Sequence, residues 1–187
     1  MSNIRRILGI DPGSRVTGFG IIELKDNHQP ICLLGGCVRL TATDMPRRLA
    51  ELFARIQDIV LQFKPTELAI EQVFVQKNVA SALKLGQARG VAIAAVMAAN
   101  IPVYEYAPRQ IKLAIVGKGN ADKSQIQHMI QILLNLSHKP QADAADALAV
   151  ALCHSHMQSS PLRLEQTRKR RVTRSKAWVG YDRTTTR

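Results

Sequence analysis

Cysteine is scarce in this chain. The three in 187 residues, Cys32, Cys37 and Cys153, offer neither the even number of a disulfide framework nor the spacing of a zinc site. Free thiols in a reducing, cytoplasmic compartment are the expectation. Long hydrophobic runs are missing as well. Arg5-Arg6 precedes only Ile7 to Ile10, far short of a secretory signal, and no stretch approaches the ~20 apolar residues of a membrane helix, so neither export nor anchoring is expected. His128, His138, His154 and His156 show no zinc-ligand spacing and are expected as surface or core residues. Acids are outnumbered, 14 against 26 lysines and arginines, for a formal net charge of +12. The excess is uneven: residues 1–162 carry 17 basic and 12 acidic side chains, residues 163–187 carry 9 and 2. A surplus of this sign suits a polyanionic partner, and the C-terminal block reads either as a disordered solubilising end or as a DNA tether.

What is present fits one domain, since 46% apolar residues suffice for a real core at this length. Arg6 to Ile10 reads as a buried strand that delivers Asp11 into the turn Asp11-Pro12-Gly13-Ser14. Val16 to Glu23 and Ile31 to Leu40 are further β-rich segments, parted by a polar stretch, and predict an antiparallel meander with the first strand. Leu49, Leu52, Phe53, Ile56, Ile59, Val60 and Phe63 repeat with helical spacing before Pro65. Leu68 to Glu71 is a second apolar run that finishes on an acid. The Ala/Gly-rich segment 79–100 predicts a helix with small residues, Ala82, Gly86, Gly90 and Ala94, at every fourth position. A fifth strand at 103–106, a short helix at 109–116 and a glycine loop at 117–120 follow. Two last helices are expected, one with Ile126, Met129, Ile130, Leu133 and Leu134 on one face, the other over about 141–157 with Ala142, Leu148, Ala149 and Leu152 available for packing.

Against this basic background four acids stand out: Asp11, Glu71, Asp143 and Asp146. Taken alone, Asp11 is an ordinary turn former. Glu71 follows three apolar residues, where an unpaired charge is costly, so a cation or an ion-pair partner is expected beside it. Asp143 and Asp146, at i and i+3 between alanines, share one helical face, either as acids meeting a helix N-terminus or as metal ligands. An oxygen-only cluster would hold hard divalent cations, while the lysines and arginines would hold the phosphate backbone those cations help to cut.

These residues carry a resemblance. Ile10-Asp11-Pro12-Gly13-Ser14, Ile70-Glu71-Gln72-Val73-Phe74, the run from Ser81 to Gly90, and Asp143-Ala144-Ala145-Asp146-Ala147-Leu148-Ala149 resemble, in order and spacing, the bacterial RuvC family of Holliday-junction resolvases. The likeness covers roughly residues 5 to 158, with 106–112 and 117–123 adding to it. It implies an α/β, RNase H-like fold, a five-stranded mixed sheet with helices on both faces, as a nuclease domain over residues 1–158. Residues 159–187 are then a basic, disordered tail, and the likeness stops within them. It further implies that Asp11, Glu71, Asp143 and Asp146 are catalytic metal ligands. Because the family's third acid is sometimes a histidine, Asp143 is the position most open to variation. Phe74 is implied to stack on unpaired bases at the crossover, against a bland reading in which it packs under its loop. Lys112 and Lys123 are implied to contact DNA or stabilise phosphate, although either would be unremarkable as a surface lysine. The implied cofactor is Mg²⁺, with Mn²⁺ able to substitute, two ions per site, and the implied reaction is phosphodiester hydrolysis that leaves 5′-phosphate and 3′-hydroxyl ends. The implied partners are a four-way DNA junction, a second copy of the chain in a C2 homodimer that uses the helix at 79–100, and the branch-migration motor complex of RuvA and RuvB.

Two other readings stay in view. An acid and glycine after a first strand also open actin-like ATPases, but those need a longer, two-lobed chain, and Gly117-Lys118-Gly119 lacks Walker spacing. A non-catalytic junction- or RNA-binding module on the same fold is opposed by the acids themselves, which weaken phosphate binding unless a cation neutralises them.

Overall fold

The computed structural model describes residues 4–25, 29–73 and 79–159. Strands β1 (Arg5–Asp11), β2 (Val16–Leu24) and β3 (Pro30–Arg39) form the expected antiparallel meander, with Asp11 opposite Gly18 at one end of the β1–β2 ladder. On the other side of β1, β4 (Glu67–Glu71) and β5 (Val103–Tyr106) add in parallel, giving a mixed sheet in the order β3-β2-β1-β4-β5. Parallel neighbours need crossovers, and helices α1 (Met45–Phe63) and α2 (Val79–Met97) lie in the connections that make them. Helix α1 starts at Asp44, whose carboxylate accepts a hydrogen bond from the Arg47 backbone N–H at 2.9 Å, and stops at left-handed Lys64, just before Pro65.

Strand residues alternate between two cores. Leu8, Ile10, Ile21, Leu68 and Ile70 pack under α1 and α2; Ile7, Ile22, Ala69 and Tyr106 pack under α3 (Pro108–Val116), α4 (Lys123–Leu133) and α5 (Ala142–Ser159). Helix α5 is buried almost all round from Ala144 to Ser155, lying between the sheet and the two shorter helices. Ala142, expected to pack, is exposed in its first turn. Leu133 of the expected α4 face is exposed too. The buried row is Ile126, Ile130 and Leu134 at four-residue spacing, and Leu133 sits about 100° round the helix from Leu134.

α5 approaches the sheet unusually closely because β1 and β2 present glycines to it. A Cβ at Gly9 would lie 2.1 Å from the Ala147 carbonyl oxygen, and one at Gly18 would lie 2.0 Å from that of Asp143. At the far end of α5, His154 is fully buried: the Tyr106 hydroxyl meets its Nδ1 at 2.6 Å, and its Nε2 pairs with Glu67. Arg5 grips the same Glu67 carboxylate with two hydrogen bonds of 2.7 Å. Burial alone would raise the Glu67 pKa, but the bonds from His154 and Arg5 outweigh it and bring the group down to about 2. The histidine is thus a satisfied core residue.

Helix α2 departs from expectation in one respect. Its 19 residues, with mean hydropathy 1.2, reach the length and apolarity of a membrane span, although the sequence was expected to hold none. It packs on α1 and the sheet through Ala88, Ala92, Ala95 and Val96, and its outer face leaves Val79, Leu83 and Met97 exposed. Space around Gly86 and Gly90 is open, so the small-residue ridge points away from this chain's own core.

Candidate active site

Asp11 closes β1 and Glu71 closes β4, and because these strands run parallel as neighbours, the two acids leave the same end of the sheet. The two-residue period also gives them one face. Ile7, Gly9 and Asp11 on β1, and Ala69 and Glu71 on β4, alternate onto the side covered by α5. The first two turns of α5 carry Asp143 and Asp146 to that end. Gly18 makes this possible: as the partner of Asp11 in the β1–β2 ladder, it lets the Asp143 backbone lie directly against the sheet. Sequence reasoning passed over Gly18, whose only signal is that pairing Asp11 across the hairpin lands on a glycine.

Asp11, Glu71 and Asp146 line one cleft of about 200 Å³, together with Lys112, Lys123 and apolar side chains of α3 and α4 such as Ile111 and Ile126. Asp143 is not among the lining residues, but its charge reaches Asp11. Among the described residues no three Asp, Glu, His or Cys side chains come together tightly enough to form a ligand cluster. The acids therefore share a cleft without a closed ligand set. Phe74 lies outside the described residues, as do residues 160–187 of the basic tail.

The electrostatics of the cleft are those of under-compensated carboxylates. Burial, then the charges of Glu71, Asp146 and Asp143, push the Asp11 pKa up to about 7, with Lys123 opposing. Burial and Asp146 likewise raise Glu71, against Lys123 and Lys112. The Lys123 ammonium stands 3.3 Å from Asp146, which raises its pKa and keeps it charged, though the side chain is largely exposed. No Glu71 ion pair occurs among the described residues, so none of their cations is the direct partner expected from its apolar setting. Carboxylate oxygens with no sulfur or imidazole among the cleft's donors suit a hard divalent cation.

A pH dependence follows. Asp11 binds its proton more tightly folded, at about 7, than unfolded, near 3.8, so its contribution to stability is complete below about 4 and is lost as pH rises toward 7 and above. The loss is on the order of 4 kcal/mol. Glu67 acts oppositely, since its stabilisation is present above pH 4.5 and disappears as pH falls through about 2. Thermal melts in EDTA are expected to show greatest stability near pH 4–4.5 and a fall toward pH 7 that is much smaller in Asp11→Asn, where only the raised Glu71 still contributes to it. A flat wild-type profile from pH 5 to 8 would contradict the coupling.

Residues 7–154 match the family model described as crossover junction endodeoxyribonuclease RuvC. The protein of that name from Vibrio cholerae serotype O1 (strain O395) is 59% identical over 150 residues, 80% of this chain and 86% of the relative. Its counterpart in Shewanella baltica (strain OS155) is 56% identical over 158 residues, 84% of this chain and 91% of the relative. Thermus thermophilus RuvC in complex with a Holliday junction substrate superposes with a TM-score of 0.77 at 32% identity, covering 82% of this chain and 94% of that one. The yeast mitochondrial Holliday junction resolvase Ydc2, at 14% identity and TM-score 0.65, covers 90% of this chain and 86% of its own; it shares the fold.

Proposed function

The chain belongs to the RuvC family of crossover junction endodeoxyribonucleases, and from that premise we propose that it resolves four-way DNA junctions by hydrolysis at the cleft between β1, β4 and α5. The activity is that of an endonuclease of DNA recombination and repair. What carries the placement of the site is that three acids remote in sequence, Asp11, Glu71 and Asp146, line a single cleft beside two lysines in a strongly basic protein.

Asp11, Glu71, Asp146 and, from the same helix turn, Asp143 would hold divalent cations, Mg²⁺ or Mn²⁺ and two per site. When bound, such cations would supply Lewis-acid stabilisation of the negative charge that develops on the phosphate oxygens during in-line displacement. The chain's own residues set the conditions. A proton on Asp11 competes with the cation, so at limiting cation the cleavage rate should rise with pH toward about 7. Lys123, kept protonated by Asp146, and Lys112 present positive charge to the scissile phosphate from α4 and α3. Phe74, in the loop after Glu71, is the residue proposed to stack at the crossover.

A junction with two-fold symmetry needs two such clefts related by a two-fold axis, and the uncovered apolar face of α2 is the surface we assign to the second copy. Leu83 and Met97 flank a ridge in which Gly86 and Gly90 have open space, a surface on which a partner helix can approach closely. Residues 1–158 form the nuclease domain in this reading, 159–187 a basic extension, and RuvA with RuvB the motor complex beside it in the cytoplasm.

The test is a synthetic four-way junction incubated with Mg²⁺. Paired, symmetric nicks that DNA ligase can reseal are expected, and none in EDTA. Retardation of the junction without product at any cation concentration would instead favour a binding module.

A further inference from the structure

Arg89 is the one strongly basic side chain of α2 that turns inward, and it reaches the backbone of an acid in the cleft. Its Nε–H donates a hydrogen bond to the Glu71 carbonyl oxygen at 3.1 Å. Its Nη2 stands 2.7 Å from the Glu105 carboxylate on β5, with the guanidinium side chain only 19% exposed. That close pair is not aligned as a hydrogen bond, so Nη2 has no hydrogen-bond acceptor among the described residues. The guanidinium therefore spans three elements, α2, β4 and β5.

The carbonyl it holds is one the sheet does not. The β1–β4 ladder ends at Ile10↔Ile70, so Glu71 is one residue past the last pair on that side, and on the β5 side the final bond runs from the Gln72 N–H to Tyr106 at 2.9 Å. That bond anchors one edge of the Glu71–Gln72 peptide, where Glu71 is paired with Tyr106; rotation about it, which would swing the attached side chain, is checked at the opposite edge, where the carbonyl meets Arg89. A planar, permanently charged fork fixed by a carboxylate on one side and a carbonyl on the other restrains that rotation.

We propose that Arg89 is a positioning residue that fixes the Glu71 backbone, and so aims the Glu71 carboxylate into the cleft. It rests on the reading of Glu71 as a cation ligand. A consequence is that α2, the helix whose outer face is assigned to the second copy, is tied by one side chain to the cleft of its own subunit.

The test compares the full-length protein with Arg89→Gln, Arg89→Lys, Glu105→Gln and Glu71→Gln. Junction affinity is measured in EDTA, and single-turnover cleavage is measured against Mg²⁺ concentration. Loss of an outer partner of a ligand commonly costs 10- to 100-fold in metal affinity or activity. Arg89→Gln is expected to raise the half-saturating Mg²⁺ concentration by about that factor while leaving metal-free junction affinity unchanged. Arg89→Lys, which keeps the charge but not the fork, should recover only part of the loss. Glu105→Gln, which keeps the bond to the carbonyl, should show a smaller shift in the same direction and serves if Arg89→Gln does not fold. A Mg²⁺ requirement like the parent's in Arg89→Gln, or in Glu105→Gln if it must stand in, overturns the proposal. So does a parallel fall in metal-free junction affinity, which would make Arg89 a DNA contact. Glu71→Gln separates the two levels: full cleavage by that variant overturns the site itself, whereas an inactive Glu71→Gln beside parent-like Arg89 variants overturns only the positioning role.

Discussion

Asp11→Asn and Glu71→Gln should each leave junction binding intact and reduce cleavage by about a thousandfold or more. Either change removes an anionic oxygen ligand whose cation is worth several kcal/mol to the transition state, and about 1.4 kcal/mol is a factor of ten in rate. The basic surface that meets phosphate is untouched, so retardation of a labelled junction should occur at the same protein concentration as for wild type. Stability should move the other way. With EDTA at pH 8, Asp11→Asn is expected to melt higher than wild type, because it removes a buried carboxylate crowded by Glu71, Asp146 and Asp143. Added Mg²⁺ should then narrow the gap, since a cation at 100 times its Kd stabilises the folded wild type by about 2.7 kcal/mol and has lost a ligand in the variant. Loss of binding together with cleavage, or a variant that is less stable than wild type in EDTA, would count against the assignment.

Gly18→Ala should be the most damaging single methyl group at the site. Its Cβ would meet the Asp143 carbonyl oxygen at 2.0 Å and the carbonyl carbon at 2.5 Å, so backbone has to move because no flexible side-chain end is there to give way. Overpacking of this kind commonly costs 1–3 kcal/mol, and a backbone clash belongs at or above the upper end, about 3 kcal/mol. Urea unfolding should show a lower midpoint at an unchanged m-value, the mark of lost stability without a change in surface exposed. The displaced element is the first turn of α5, which carries Asp143 and Asp146, so cleavage should fall even where the variant is folded. Wild-type stability in Gly18→Ala would mean that α5 does not lie against β2 at this distance.

Much of the fold was legible in the residues because the relevant physics is local. Alternation and turn residues located the meander, the i, i+3, i+4 spacing located α1, and apolar runs ending in Asp11 and Glu71 marked two strand ends. Faces set by long-range packing were less legible. Ala142 and Leu133 were assigned to buried faces from spacing alone, yet which side of a helix is covered depends on neighbours brought in by the chain's path. Helix α2 shows the same limit: its small residues announced a close approach, but only the packing showed that the glycine ridge faces outward while Ala88, Ala92 and Ala95 face in.

By itself the sequence determined which residues could do the chemistry, because carboxylate identity and order along the chain are properties of single positions and short motifs. It could not determine that Asp11, Glu71 and Asp146 share a cleft while Asp143 stands just outside its lining, nor that Arg89 reaches the carbonyl of Glu71 from another helix. Those relations depend on strand order, on the parallel pairing of β1 with β4 and on the close seat of α5 over Gly9 and Gly18. Each joins residues that are distant along the chain, and only the packing of the whole domain sets such distances.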